Sequence, residues 1–426
     1  MAFALLASAL LAGCSSSPKQ QAPIVAPAAS EAPVTSFRVP PLTSLPAEKP
    51  RALKGKYVQV SWNDVPSWQS DDLQNYWANF VRNCRGLMRP TGGNLARPAR
   101  ANPRAWHAVC SAALNPATAP KAGDEVAVRR FLQTYLVPWK LETSAGKMAS
   151  GTVTGYYEPL VYGSRVRQGP YQWPLFEVPN DLLNIDLGAM YPELAGKRVR
   201  GKLDGRRVVP YDSRTELNNP ERQPPAIVWV NDPVDNFFLQ VQGSGRVYLA
   251  EGPGAGTTIR LAYANHNGHP YRSIGRWLVN QGELSLNQAS MQNIRAWAKN
   301  NPERVQEMLN ANPAVVFFRE EAIADPTEGP KGSYGIPLGE QRSIAVDTEY
   351  VPLGTPVYLM TTMPSSKTPL DRLVFAQDTG TAIKGAARAD YFWGFGEKAG
   401  AMAGRMKQSG QMWLLWPKSA GMPSAQ

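Results

Sequence analysis

The residues of this chain that could do acid–base chemistry are concentrated near its C-terminus. Residues 375–385 read FAQDTGTAIKG, so a strand-like run ends at Asp378 in a glycine turn. Residues 388–394 read RADYFWG, which places Asp390 twelve positions later, next to three aromatic residues. Apolar neighbours raise the pKa of a carboxyl group, so that it stays protonated and can act as an acid. We therefore predict an acid catalyst here, with a plain Asp-Thr-Gly turn and a helix-capping aspartate as the structural alternatives.

Other classes of active site fit the sequence less well. An Asp-Thr-Gly triplet also occurs in aspartic proteases, whose mechanism needs two such carboxylates in contact. This chain has one triplet, so a protease would require a homodimer to supply the second. His266 and His269 lie three positions apart, yet a zinc site would need a further carboxylate ligand, which favours a loop with hydrogen-bonded imidazoles. The sequence has no Walker A loop, no G-x-S-x-G elbow and no HExxH motif. With three histidines in the chain, acid–base work falls to carboxylates.

The composition describes a folded, basic protein. The 426 residues are 43% hydrophobic, which is enough for cores in two or three domains. Lys and Arg outnumber Asp and Glu by 45 to 34, giving a net charge of +11, so an acidic partner is expected. The basic residues are scattered rather than clustered, and no zinc-finger or RRM-like string occurs, which argues against nucleic acid as the partner.

The periodicity of apolar residues predicts the helices and strands that position these residues. Helical spacing is expected before residue 150, at 73–84 and 126–136, and again between 274 and 309. Strands are expected from residue 151 to about 270, at 152–154, 208–209, 227–230 and 237–241. The last 90 residues are predicted to be strands again, at 343–346, 357–359, 373–376 and 412–416, with one helix at 397–407.

The N-terminus resembles that of a bacterial lipoprotein. Residues 2–13 are apolar or small and too few to span a bilayer, which indicates a secretory signal. They end in Leu-Ala-Gly before Cys14, which resembles a lipobox and implies a lipidated Cys14. No Lys or Arg precedes the apolar run, so we expect the basic start of the signal to lie upstream of Met1. Residues 15–50 contain eight prolines and are expected to form an extended tether.

The other two cysteines form an even pair. If Cys14 carries lipid, Cys84 and Cys110 remain in an oxidising compartment, where a disulfide is expected. Two buried thiols are the alternative.

Several motifs together carry a family resemblance. Residues 347–354 (DTEYVPLG), followed by the Asp378 and Asp390 motifs, resemble the bacterial 3D domain, which is named for three aspartates in this order. Four upstream motifs resemble the membrane-bound lytic murein transglycosylase A family: GYYEP at 155–159, VQGSG at 241–245, YRSIG at 271–275 and SMQ at 290–292. The resemblance covers roughly residues 60–418.

The resemblance implies an α+β, mainly β fold. A double-psi β-barrel domain with some helices would be built from residues 51–157 and 271–418, with the 3D domain at about 333–418. A second β-domain would be inserted at 158–270, and the glycan would bind in the groove between the two domains. Residues 1–13 would be the signal peptide and 14–50 the lipidated tether.

The resemblance also implies a reaction and the residues that perform it. Such enzymes are carbon–oxygen lyases that cleave the β-1,4 bond between N-acetylmuramic acid and N-acetylglucosamine of peptidoglycan without water, leaving 1,6-anhydro ends. One carboxyl group serves as acid and then as base, so neither a metal nor a cofactor is required. Matched motif by motif, Asp390 is the acid/base and Asp378 orients it or stabilises the oxocarbenium ion, while Asp347 is mainly structural. Glycan contacts are expected from Tyr157, Gln242, Ser244 and Lys384.

The expected partners and location follow from the same resemblance. The partners are peptidoglycan glycan strands and the outer membrane, reached through the N-terminal lipid, with a cell-wall synthesis complex as a further candidate. Ser15 and Ser16 follow Cys14 where an aspartate would favour the inner membrane, so the resemblance implies an outer-membrane anchor facing the periplasm.

Two functions of other classes stay open at this point. A hydrolytic muramidase or other glycosidase needs two carboxyl groups about 5–9.5 Å apart, and Asp378 could be the second. A non-catalytic, peptidoglycan-binding lipoprotein would keep the aromatic residues but would tolerate loss of Asp390.

Replacing Cys14 tests the anchor. Because a polar tether alone has no membrane affinity, Cys14→Ser should move the protein from the outer-membrane fraction into the soluble periplasm. Fractionation and immunoblotting of cells expressing the two forms measure this. Unchanged sedimentation of the variant with outer membranes would contradict the lipobox interpretation.

Overall fold

The computed structural model of the protein describes residues 37–45, 50–73, 75–89, 99–191, 194 and 199–425. The predicted signal peptide, Cys14 and most of the predicted tether lie outside these residues. Within them, no helix is long and apolar enough to cross a membrane.

Helices lie at both ends of the chain and in its middle. The α-helices of the described ranges are α1 (Tyr76–Leu87), α2 (Pro103–Leu114), α3 (Glu125–Tyr135), α4 (Pro233–Gln242), α5 (Ile274–Asn280), α6 (Met291–Asn300), α7 (Val305–Asn310) and α8 (Gly396–Ala403).

Strands make up most of the regular structure between and after these helices. They are β1 (Arg51–Ala52), β2 (Lys56–Gln59), β3 (Leu136–Glu142), β4 (Gly151–Glu158), β5 (Leu160–Ser164), β6 (Trp173–Phe176), β7 (Leu183–Ile185), β8 (Val199–Asp204), β9 (Arg207–Val209), β10 (Ala226–Val230), β11 (Ser244–Glu251), β12 (Thr258–His266), β13 (Val316–Glu321), β14 (Ser343–Val346), β15 (Pro356–Thr362), β16 (Pro369–Asp378), β17 (Ala389–Phe395), β18 (Lys407–Pro417) and β19 (Ser424–Ala425).

Six strands close into a barrel. Their order is β15-β16-β14-β17-β4-β18, and β18 pairs again with β15 to complete the ring. Two of the pairings, β14 with β16 and β17 with β4, are parallel, although the strands of each pair are far apart in sequence. The interior is filled with apolar side chains such as Val153, Ile344 and Leu414. The mainly β fold with a double-psi barrel is therefore confirmed, and one of its central strands, β4, precedes the insertion.

A second sheet is formed by the chain between the two parts of the barrel. Its order is β13-β12-β11-β5-β10-β6, and a bridge between Glu177 and Phe318 brings its two edges together. Helices α4 to α7 share one core, with Phe237, Leu278 and Met308 at its centre. Strand β13 lies beyond residue 270, so this sheet extends to residue 321. The residue bounds of the two domains stay a prediction, and an insertion ending near 321 accounts better for this strand.

The predicted strand at residues 237–241 is wrong, because these residues form most of helix α4. The side chain of Asp232 accepts hydrogen bonds from the backbone N–H groups of Val234 and Asp235, which caps the helix. Gly243, with φ 81°, ends the helix in the left-handed conformation that favours glycine. The aromatic and β-branched residues of the run are typical of strands, but these two end signals and the core contacts of Phe237 decide for the helix.

Helices α1 and α2 pack together and cover one side of the barrel. A disulfide joins Cys84 of α1 to Cys110 of α2. Phe80 of α1 contacts the ring of Phe375 on strand β16, so the helix pair is attached to the strand that ends at Asp378.

Removing the disulfide should destabilise the protein. In the loop-entropy account, a bridge closing a 26-residue interval contributes on the order of 3–4 kcal/mol. The double variant Cys84→Ala/Cys110→Ala, made in the Cys14→Ser background, should lose about that free energy of unfolding in urea titrations. The matched control is the Cys14→Ser protein itself, and a loss below about 1 kcal/mol would contradict a stabilising role.

Candidate active site

One residue from each of five neighbouring barrel strands falls into a lateral row. The row runs through Asp378, Ala345, Asp390, Thr154 and Lys407, as the strand register places them side by side. Residues paired in this way lie on the same face of a sheet. Neighbouring strands are about 4.8 Å apart, so the backbones at Asp378 and Asp390 are separated by roughly 10 Å. We call this set the polar row.

Asp390 lies in the middle of the polar row with few donors around it. Thr154 Oγ donates a hydrogen bond to Asp390 Oδ1 at 2.7 Å. Burial raises the pKa of Asp390 to about 6, against the lowering effect of this bond and of the nearby Arg388. Such a carboxyl group can be protonated near neutral pH and can give up its proton, as an acid catalyst must.

Asp378 accepts more hydrogen bonds than Asp390. Its Oδ1 accepts hydrogen bonds from the N–H and the hydroxyl of Ser333, both at 2.8 Å, and from the N–H of Thr379 at 2.9 Å. Tyr156 donates to Oδ2 at 3.3 Å. Burial raises the pKa of Asp378, but all four donors favour its charged form. The pair is thus asymmetric, with a carboxylate held by four donors next to a carboxyl group held by one.

Arg388 contacts Thr154, the residue that donates to Asp390. Its Nη2 donates to Thr154 Oγ at 2.9 Å, and its Nη1 donates to the carbonyls of Thr152 and Ala389. Because Arg388 occupies an acceptor position of the Thr154 hydroxyl, the hydroxyl proton is left to point at Asp390. Burial lowers the pKa of Arg388, whereas the neighbouring Asp390 raises it.

Tyr157 and Gln242, both predicted glycan contacts, meet at the crossing between the two domains. Gln242 Oε1 accepts a hydrogen bond from the N–H of Tyr157 at 3.2 Å. Successive side chains of a strand point to opposite faces, so Tyr157 faces away from Thr154 and Tyr156. Its ring packs against Gly400 of α8, and its hydroxyl lies 3.7 Å from the sulfur of Met291.

The other two predicted contacts are Ser244 and Lys384. Ser244 is the half-buried first residue of β11. Lys384 is 64% exposed, with its Nζ 3.8 Å from Asp347 Oδ1. Asp347 is buried and accepts hydrogen bonds from the N–H groups of Gly385 and Glu349, so it ties the loop after Asp378 to the turn that begins at Asp347.

The histidine loop is held by hydrogen bonds. His266 Nδ1 accepts from the N–H of Gly268 at 3.0 Å, and His269 Nε2 lies 2.7 Å from the carbonyl of Tyr211. In the part of the chain that the structure describes, no three His, Cys, Asp or Glu side chains are grouped so that they could hold a metal ion.

Comparison with known proteins places the chain in a family. The sequence matches the family descriptions "MltA specific insert domain" at residues 152–319 and "3D domain" at residues 342–416. The membrane-bound lytic murein transglycosylase A of Escherichia coli K12 is 31% identical over 301 residues, which cover 69% of this chain and 73% of the relative. The chain belongs to the membrane-bound lytic murein transglycosylase A family. The relative from Vibrio cholerae is 30% identical over 63% of this chain and 66% of its own length.

Solved structures of the transglycosylase A family share this fold. MltA from Neisseria gonorrhoeae is 32% identical, with a TM-score of 0.71 over 92% of this chain and 100% of that chain. The lytic transglycosylase LtgG of Burkholderia pseudomallei is 43% identical, with a TM-score of 0.58 over 87% and 99% of the two chains. E. coli MltA, described with bound chitohexaose, is 26% identical, with a TM-score of 0.59 over 85% and 94%.

Three functional neighbours of the aspartates were missed in the sequence: Thr154, Tyr156 and Ser333. A signal for two of them was present, because Thr154 and Tyr156 lie two positions apart on the strand that carries the GYYEP motif of the transglycosylase A family and so share one face. Ser333 has no such signal. It reaches Asp378 only through the fold, from 45 positions away.

Replacing Thr154 should move the pH dependence of the enzyme. If Asp390 is the acid, with a pKa of about 6, its protonated form is lost as the pH rises, so kcat/KM should fall above about pH 6. Thr154→Val removes a bond that favours the charged form and should shift this falling limb to higher pH. Thr154→Ser keeps the hydroxyl and is the matched control. A uniform loss of activity in the Val variant, without a shift, would contradict the assignment.

Proposed function

We propose that this peptidoglycan lytic transglycosylase uses Asp390 alone as acid and then as base, with Asp378 as its charged neighbour. The observation that supports this most directly is the asymmetry of the two carboxyl groups. Asp390 accepts a hydrogen bond from Thr154, and burial raises its pKa to about 6, whereas Asp378 is held by Ser333, Thr379 and Tyr156. A proton donor and, two strands away, a carboxyl group whose charged form is favoured by four donors are thus provided in one row.

The reaction is a proton transfer out and back. Protonated Asp390 gives its proton to the oxygen between the two sugars, and the bond from this oxygen to C1 of N-acetylmuramic acid breaks. The resulting Asp390 carboxylate then accepts the proton of the C6 hydroxyl as that oxygen bonds to C1. The nucleophile is already part of the sugar, so proximity replaces the second carboxyl group that a hydrolase needs. No water is consumed.

Asp378 has a supporting role in this proposal. Its negative charge is within the polar row, two strands from Asp390, and raises the pKa of Asp390 in addition to burial. The same charge would stabilise the positive oxocarbenium ion that forms at C1. Tyr156 stays protonated because burial raises its pKa far above the usual value, so it remains a donor to Asp378.

Glycan is proposed to bind along the groove between the barrel and the inserted domain. Tyr157 and Gln242 contact each other where the chain crosses from one domain to the other, which is where both domains can line one groove. Ser244 and Lys384 are the further proposed contacts. A relative, E. coli MltA, is described with bound chitohexaose, a sugar chain of the kind that such a groove would take.

The relatives are named membrane-bound, and membrane association is accordingly assigned to this chain. We propose the finer location from the sequence: a lipid on Cys14 in the outer membrane, with the enzyme facing the periplasm. A cell-wall synthesis complex is a proposed partner.

Heavy-oxygen water distinguishes this reaction from hydrolysis. Digestion of peptidoglycan in H₂¹⁸O should give 1,6-anhydro-N-acetylmuramic ends without label, because no water enters the step. Mass spectrometry of the products measures this. Reducing muramic ends carrying one heavy oxygen would instead make Asp378 and Asp390 a hydrolytic pair.

Two variants serve as controls for this experiment. Asp390→Asn should bind glycan but lose roughly 10³-fold or more of the rate, because no other group is placed to deliver the proton. Asp378→Asn should be impaired less severely. If Asp390→Asn keeps most of its activity while Asp378→Asn is inactive, the two roles are reversed.

A further inference from the structure

Beyond Asp390, the polar row continues into a region that the reaction does not use. Thr154 is followed in the row by Lys407 on strand β18, and the next pair on the same face is Thr152 with Ser409. Arg388 contacts the same two threonines: its guanidinium donates hydrogen bonds to the carbonyl of Thr152 and to the hydroxyl of Thr154. Two cations therefore flank the two threonines, immediately next to the proposed acid.

An open cavity lies at this end of the polar row. Its volume is about 390 Å³, and polar residue types predominate in its lining, which consists of Ser150, Gly151, Thr152, Lys407, Gln408 and Ser409. The hydroxyls of Ser150 and Ser409 lie 2.8 Å apart, so each can still contact a guest with its remaining donor or acceptor capacity.

The backbone around the cavity is fixed by close packing. A Cβ atom at Gly151 would lie 2.3 Å from the carbonyl oxygen of Ala387, so only glycine permits strand β4 to approach the segment before Arg388 this closely. The cavity wall and Arg388 are thereby held together.

The charge of Lys407 is not neutralised by an ion pair with any of the described residues. Lys407 is exposed at the cavity wall, with no described carboxylate oxygen within 4.0 Å, whereas Arg388 is not part of the lining and its charge acts on Asp390. Arg388 uses its hydrogen bonds on carbonyls and on the Thr154 hydroxyl. A ligand that suits a lysine surrounded by hydroxyl and amide groups is a carboxylate carried on a peptide-like chain.

We infer that this cavity is a subsite for a carboxylate of the peptide stem of peptidoglycan. The inference rests on the proposed function, because the stem is attached to the muramic sugar whose C1 reacts at Asp390. Lys407 lies two strands from Asp390, which is roughly 10 Å. An extended peptide advances about 3.3 Å per residue, so a carboxylate two or three residues along the stem reaches Lys407 when the sugar is at the acid.

Lys407→Met tests the subsite, because it removes the charge and keeps the aliphatic stem. Two substrates are compared with the full chain: peptide-bearing glycan from sacculi, and the same glycan after an amidase has removed the peptides. On the peptide-bearing glycan the variant should raise KM by roughly threefold to tenfold, as expected for one partly exposed charged contact, with kcat unchanged. On the stripped glycan it should behave as the wild type. Lys121→Met, on the exposed loop before α3, is the matched control.

A second experiment neutralises the carboxylates of the substrate instead of the lysine of the protein. Amidation of the free peptide carboxylates should raise the KM of the wild type about as much as Lys407→Met does, and should add nothing to the variant. An equal effect of Lys407→Met on both substrates, or none on either, would overturn the subsite. Failure of the wild type to form anhydro ends from the peptide-bearing glycan would instead count against the proposed function, so the two outcomes are distinguishable.

Discussion

A single buried carboxylate connects the two domains of this enzyme. Glu158 is 0% exposed and lies at the end of β4, where the chain leaves the barrel. It accepts hydrogen bonds from Arg246 at 2.9 Å and from Arg260 at 2.6 Å. The same two arginines donate to the carbonyls of Pro326 and Glu328, on the segment that returns to the barrel. Leaving such charges buried without a partner costs about 3–5 kcal/mol, so the whole crossing depends on this carboxylate.

The face of β4 that ends at Glu158 also carries the active-site contacts. Thr154, Tyr156 and Glu158 are two positions apart, so they point to the same side. The first contacts Asp390 and the second Asp378, while the third holds the inserted domain. One strand thus sets both the contacts of the two aspartates and the attachment of the inserted domain.

The sequence predicted those parts of the molecule that depend on local patterns. The strand-rich middle and C-terminal segments were predicted because turn residues and alternating strands leave a local signature, whereas the barrel was implied only by the family resemblance. The helix at 233–242 was mistaken for a strand, since its end signals were outweighed by aromatic residues typical of sheets. The partners of the aspartates were missed because they come from distant segments: Thr154 is 236 positions from Asp390. Only the closed barrel brings such residues together.

The parallel pairing of β4 with β17 has a consequence for the order in which the chain folds. Contacts between distant segments form slowly, because a long loop must close before they stabilise the chain. Here β4 cannot pair until the insertion and then β17 and β18 have been made, and these two are the last long strands of the described chain. A chain that folds from its N-terminus cannot complete the barrel until nearly all of its residues are available. The contacts around Asp390 therefore assemble at the end of folding, and a chain truncated before β17 lacks Asp390 altogether.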